Sequence, residues 1–168
     1  MNSDELRRLQ APLKSRYREN PDSALVTMSV RGQLGEAATC RVETAGGVVV
    51  AGLHPATGGD GTARCSAEML LEALVGCAGV TLNAVATSMG VAWRSATIEA
   101  EGMMDFRGTL GVSREVPVGF QSIRLTFRFD SDASHEQLAK LVELTERYCV
   151  VYQTLKSPPS IQAVIARV

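Results

Sequence analysis

The reactive inventory of this sequence is short: four cysteines, Cys40, Cys65, Cys77 and Cys149, and two histidines, His54 and His135. Thiols can ligate metals, form disulfides or act as nucleophiles, and spacing decides among these. No CxxC occurs, and no cysteine stands close to a histidine in the manner of a zinc site. The glycine-rich stretch HPATGGDGTARC, residues 54–65, would suit a phosphate, but no GK[ST] follows and no strand-loop-helix nucleotide fingerprint is complete. His54 sits in that loop with no partner visible, and His135 falls in the first turn of a surface helix, so neither reads as the base of a nucleophilic pair. What remains is thiol chemistry. The N-terminus carries no apolar leader pattern, so a cytoplasmic location with reduced thiols is the expectation. Only a thiolate is nucleophilic, so any working cysteine here needs its pKa lowered. Cys40 and Cys65 read instead as small buried residues.

The element that must position a thiol is the run SAEMLLEALVGCAGVTLNAVATSMG at residues 66–90, with Cys77 near its middle. Ser66 suits an N-cap, Glu68 lies in the first turn where the helix dipole favours an anion, and Gly90 suits a left-handed C-cap. Leu70, Ala73, Leu74, Cys77, Val80, Thr81 and Ala84 recur at three- and four-residue steps, which puts Cys77 on an apolar stripe. Gly76, Gly79, Asn83 and Ala86 form a strip of small residues, expected to receive a second backbone at close range. A bilayer would accept the length, but Glu72, Asn83 and the late Thr and Ser side chains point to the core helix of a soluble protein.

Composition limits the partners. A net charge of -1 leaves no electrostatic footprint for nucleic acid or anionic lipid. With 45% hydrophobic and 21% charged residues in 168, the chain reads as one globular domain without a cofactor motif.

In chain order, residues 1–20 read as an amphipathic helix bent at Pro12, with Leu6, Leu9 and Leu13 at helical steps and Pro21 as its stop. Residues 24–30, 36–43 and 47–52 read as strands of an antiparallel meander. After the central helix come strands at 96–102 and 122–129 separated by a glycine-rich passage. A helix at 134–149 follows, opened by a Ser134 and Gln137 capping box and ending on an inward Cys149. Residues 161–168 read as a closing strand. This segregated order argues an α+β fold with two small antiparallel sheets around a long buried helix. The domain division expected is 1–22 as a helical extension and 23–168 as the single folded domain. The glycine-lined helix and the small sheets lead us to expect a homodimer.

Three stretches stand out in order: EMLLEALVGC from Glu68 to Cys77, EGMMDFRGTLGVSREVPVGFQSI ahead of the fifth expected strand, and ERYCVVYQTL around Cys149. They resemble the OsmC/Ohr family of osmotically inducible and organic-hydroperoxide-resistance proteins, the last looking like the family's second cysteine motif opening a short helix. In this order they cover roughly residues 37–168.

The resemblance implies an intertwined homodimer that reduces organic hydroperoxides at the subunit interface and is reset by a dithiol reductant. It implies Cys77 as the peroxidatic thiol and Cys149 as the resolving one. In such peroxidases an arginine from the first hairpin, held by a glutamate ten residues before the cysteine, supplies the positive partner. Here Ala67 occupies that position and Glu68 the next, Arg31 is the nearest candidate arginine, and Arg41 and Arg64 compete with it. Val150 also stands where the family often has proline. These departures keep a second expectation open, a non-enzymatic dimer holding a small apolar ligand at its interface.

Overall fold

The computed structural model describes residues 1–167, and the chain is built around a 24-residue helix, α2 (Ser66–Met89). Gly90 ends α2 in the left-handed conformation (φ 68°), as its sequence position predicts. The start differs. Cys65 rather than Ser66 is the N-cap, with no side-chain capping bond, so the first-turn amides are not satisfied by the expected serine. Although α2 is long and apolar enough to span a membrane by length and composition, α1, α4, α5 and β5 all pack against it.

Ahead of α2 lies α1 (Ser3–Glu19), closed at its start by a reciprocal capping box between Asn2 and Glu5 and running through Pro12. Pro21 begins a 3-10 turn (Pro21–Ala24) and the helix does stop there. The first sheet has four strands in the order β1 (Gly32–Leu34), β2 (Cys40–Thr44), β3 (Gly47–Gly52) and β4 (Arg64–Cys65). Its β3–β4 pair is parallel, whereas the sequence led us to expect loop at Arg64 and Cys65 and antiparallel pairing throughout.

Two other strand assignments are corrected. Residues 24–30 join no ladder, and the first half of 36–43 is a tight turn with Ala37 and Ala38 at φ 52° and 58°, held by the Thr39 hydroxyl donating to the Glu36 carbonyl. Alternation marks a residue run that could pair, but only a neighbouring strand makes it a strand.

After α2 the long hairpin β5 (Ser95–Met104) and β6 (Phe120–Asp130) forms the second sheet, longer at both ends than the periodicity indicated. A short helix, α3 (Phe106–Thr109), lies in their connection. Gly102 on β5 sits under the Phe120 ring, where an added Cβ would come within 2.3 Å of a ring carbon. The hairpin lays Ile98, Phe127 and Phe129 on Leu82, Ala86 and the fully buried Leu141 of α4 (His135–Tyr148), with Trp93 at 6.0 Å from the Phe129 ring. The capping box of Ser134 and Gln137 opens α4 as expected. Residues 161–167 form no strand, and Val168 of the expected closing strand lies outside the described residues.

The buried face of α2 also differs from the expected stripe. Leu74, Ala78, Leu82 and Ala86, at strict four-residue steps, are buried, whereas Val80 is 73% exposed. Among the described residues nothing approaches within 4 Å of a Cβ at Gly76, and Gly79 meets only the Ile98 side chain, so neither glycine of the small-residue strip receives a second backbone. Among the described residues only seven hydrophobic side chains are buried, and the accessible surface is 12,765 Å². A folded monomer of this mass exposes roughly 8,000 Å².

Candidate functional site

Helix α4 stops at Tyr148, and a separate helix, α5 (Val150–Lys156), begins one residue later. Cys149 is the joint. Its backbone leaves helical geometry (φ −73°, ψ 111°), its amide still donates to the Thr145 carbonyl, and its carbonyl already accepts from Gln153. It is therefore the last cap of one helix and the first cap of the next, not the end of a continuous helix at 134–149. Its side chain makes no capping bond, so the amides of the first turn of α5 remain free for another acceptor.

The group that stands near those amides is a sulfur. The Sγ of Cys77, half-buried on α2, is surrounded by the backbone amides of Val151 and Val150, the thiol of Cys149 and the hydroxyl of Thr81. Burial pushes the Cys77 thiol up, but the Val151 amide, the Cys149 thiol, the Val150 amide and Thr81 together outweigh it and hold Cys77 below the ordinary thiol range. Cys149, 1% exposed, moves the other way. Burial raises its pKa and the neighbouring Cys77 sulfur raises it further, against the opposing pull of the Tyr152 and Val151 amides. The two sulfurs titrate as a pair.

Two residues 72 positions apart are thus brought side by side, through contacts of α2 with α4 and α5. Of the groups around Cys77, Thr81 was within reach of the sequence, one helical turn on along the same stripe. Val150 and Val151 contribute only backbone amides, which carry no signature in side-chain type.

The expected activating residues are elsewhere in the chain. Glu68 precedes Cys77 by nine residues of helix, about 13 Å along the axis and half a turn around it. It lines a separate recess of about 410 Å³ with Leu71, Met103, Met104, Phe106 and Phe120. Arg31 is exposed just ahead of β1, where its carbonyl accepts the Glu43 amide, and its guanidinium is not among the groups acting on Cys77. Arg41 is exposed on β2, and Arg64 is tied to Glu72. Among the described residues no cluster of three His, Cys, Asp or Glu side chains is arranged to hold a metal. His54 turns its Nδ1 to accept the Ala56 amide at 3.0 Å and stacks on Phe106 at 5.0 Å, and His135 is an exposed first-turn residue of α4.

A cleft of about 390 Å³ is lined by Leu74, Ile123, Leu125, Tyr152 and Leu155 together with the polar Gln121, Ser122, Glu146 and Lys156, and neither Cys77 nor Cys149 forms part of its wall. Burial pushes the Tyr152 phenol up, and the Glu146 carboxylate beside it adds to the shift.

Residues 59–164, more than half of the chain, match the family described as OsmC-like protein. The chain belongs to the OsmC-like family. No curated protein matches it. Among solved structures, this OsmC-like chain is similar to an OsmC-like protein from Mycoplasma pneumoniae, with a TM-score of 0.66 and 16% identity over 79% of this chain and 89% of that one. It is also similar to an organic hydroperoxide resistance protein OsmC from Legionella pneumophila, with a TM-score of 0.61 and 17% identity over 80% and 92% of the two chains. The organic hydroperoxide resistance protein OhrB of Bacillus subtilis aligns at a TM-score of 0.53 and 20% identity over 80% and 94%. At these identities the likeness is one of fold, and it agrees with the α+β architecture of small sheets around a central helix.

Proposed function

We propose that this OsmC-like protein is a thiol-dependent peroxidase that reduces organic hydroperoxides in oxidative-stress defence, with Cys77 as the attacking thiol and Cys149 as the resolving one. The observation that carries the reading is the meeting of the two sulfurs at the start of α5, with Cys77 held toward its thiolate form and Cys149 toward its thiol form. The Cys77 thiolate attacks the terminal oxygen of ROOH. The O–O bond breaks, its electron pair leaves on RO⁻, which takes up a proton and departs as the alcohol, and Cys77 becomes a sulfenic acid. Cys149 then attacks that sulfur, the S–O bond breaks, hydroxide leaves with the Cys149 proton as water, and a disulfide remains. A dithiol reductant returns two electrons by thiol-disulfide exchange. In this chain the first-turn amides of α5 supply the stabilisation that an arginine would otherwise give.

The functional unit is a homodimer in the cytoplasm, with residues 1–22 as a helical extension to the 23–168 domain. Supporting the dimer, the isolated chain exposes roughly 4,700 Å² beyond the surface expected for its mass, about 9,400 Å² over two copies, which is more than the roughly 2,000–5,000 Å² total of many obligate interfaces. Arg31 and Glu68 act in catalysis only if a second copy presents them to Cys77.

Purified protein supplied with dithiothreitol is expected to consume cumene or tert-butyl hydroperoxide, and the Cys77→Ser variant to be inert. Unchanged turnover in that variant rules the mechanism out. A second reading, a non-enzymatic dimer that holds a small apolar ligand, is favoured by the absence of any cation among the groups acting on Cys77 and by the recess lined with Leu71, Met103, Met104 and Phe106. A native mass spectrum with a retained small molecule, together with no hydroperoxide consumption, would select it.

A further inference from the structure

A helix that breaks in mid-course leaves carbonyls behind. In a continuous helix each amide donates to the carbonyl four residues back, so the Val150 amide would take the Glu146 carbonyl. Nothing local forbids that bond. Cys149 and Val150 are neither glycine nor proline, and Val150 has the N–H that the bond needs. Yet the backbone leaves helical geometry at Cys149, and the bond from Val150 to Glu146 is not made.

The Glu146 carbonyl is nevertheless satisfied. Gln153, half-buried at the fourth position of α5, reaches back over the break and donates its Nε2–H to that carbonyl at 2.8 Å. A carbonyl only accepts, so the amide nitrogen is the atom that faces it. The backbone amide of Gln153 donates to the Cys149 carbonyl at 2.9 Å. One residue thus closes both sides of the joint: its main chain closes the first turn of α5, and its side chain closes the last turn of α4. Other helix side chains that bond a carbonyl behave differently. Asn83, Thr87, Ser88 and Thr145 each take the carbonyl four residues back in their own helix. Gln153 reaches seven back, into a different helix.

We propose that Gln153 is a positioning residue for the cysteine pair: by occupying the Glu146 carbonyl it keeps the helix broken at Cys149 and leaves the Val150 amide to face the Cys77 sulfur. The exchange is one donor for another. A side-chain amide takes the helical place of a backbone amide, and the backbone amide it displaces is one of the groups around Cys77. The Glu146 carboxylate beside the Tyr152 phenol makes a second contact over the same break. This inference rests on the reading of Cys77 as the working thiol, but not on hydroperoxide as its substrate. A residue that only finished the end of α4 would leave Cys77 unchanged when removed.

The test reads the thiol itself. Gln153→Met keeps the length and helix propensity of the side chain and deletes its donor. The Glu146 carbonyl is then expected to recapture the Val150 amide, and alkylation of Cys77 by iodoacetamide at neutral pH, followed on the Cys77 peptide by mass spectrometry, to slow roughly threefold to tenfold. The loss should vanish at high pH, where the thiolate forms unaided. An unchanged pH profile in folded Gln153→Met protein overturns the proposal. Val150→Pro supplies the deciding background, since proline removes that amide and fixes the break by itself. Adding Gln153→Met to Val150→Pro should slow Cys77 no further, whereas an equal second loss shows that Gln153 acts by another route and overturns the proposal. Should Gln153→Met not fold, the same profiles are read on Gln153→Asn, one methylene shorter than the reach the break requires. If these profiles behave as stated while the wild-type protein consumes no hydroperoxide, the peroxidase reading fails and the role of Gln153 stands.

Discussion

Cysteines occur in this chain in two settings. Cys40 and Cys65 lie half-buried in the first sheet, Cys40 on β2 between Leu34 and Ala51, and Cys65 on β4 opposite Gly52. Cys77 and Cys149 lie where α2 meets the joint between α4 and α5. Burial is similar for Cys40, Cys65 and Cys77, so burial does not set them apart. The difference is in the backbone donors around each sulfur. The central strand of a sheet spends its amides on the ladder, and Cys40 is packed there by shape alone, its Sγ only 2.9 Å from where a Cβ on Gly32 would stand. The first turn of α5 has amides to spare, and they face Cys77. The lowered pKa of Cys77 comes from unspent peptide groups, against the effect of its own burial.

The largest effect expected from that contrast is on turnover. Cys77→Ser should lower hydroperoxide consumption by roughly three orders of magnitude or more, the scale of removing a nucleophile, whereas Cys40→Ser and Cys65→Ser should leave it within about twofold, by a coupled dithiol assay. Cys149→Ser should slow steady turnover by roughly tenfold to a hundredfold yet still allow one round, visible as a dimedone adduct on Cys77. Loss of that adduct would mean that Cys149 acts in the first step.

A proline test sharpens the role of the amides. Proline is tolerated at the first position of a helix, so Val150→Pro should keep α5 while deleting one donor to Cys77. Its rate at neutral pH is expected to fall roughly threefold to tenfold, with the loss recovered at higher pH as the thiolate forms unaided. The smallest effect concerns titration alone. Because Cys77 lies below the usual thiol pKa, its alkylation by iodoacetamide should reach half-reaction at a lower pH than that of an unperturbed thiol such as N-acetylcysteine. Cys149, raised by burial and by its neighbour, should reach half-reaction at a higher pH than that reference. The linked stability runs oppositely for the two: the Cys77 contribution fades as pH falls through its folded pKa, and the Cys149 contribution fades as pH rises through its own.

What the sequence made legible follows from how local each signal is. The body of α2, its Gly90 stop and the Ser134 capping box are written within a few residues of themselves, and all three stand. The strands at residues 24–30 and 161–167 were read from alternation, which reports a capacity to pair but not the presence of a partner. Val80 shows the same limit: three-residue spacing placed it on an apolar stripe, but the chain buries the four-residue row through Leu74 and Leu82 and leaves Val80 outside. At the candidate site, the adjacency of Cys77 and Cys149 followed from the resemblance of their flanking motifs. The break of α4 at Cys149 has no glycine or proline to announce it, and the donors it frees belong to two valines.

The joint at Cys149 also carries a mechanical consequence. A disulfide between Cys149 and Cys77, as the proposed mechanism requires, would close a loop of 72 residues across the chain's central helix. Loop-closure entropy places the gain at about 4 kcal/mol. Oxidised protein should then melt on the order of 10 °C above its reduced form. A thermal scan would read out how far a sample has been consumed by its own chemistry.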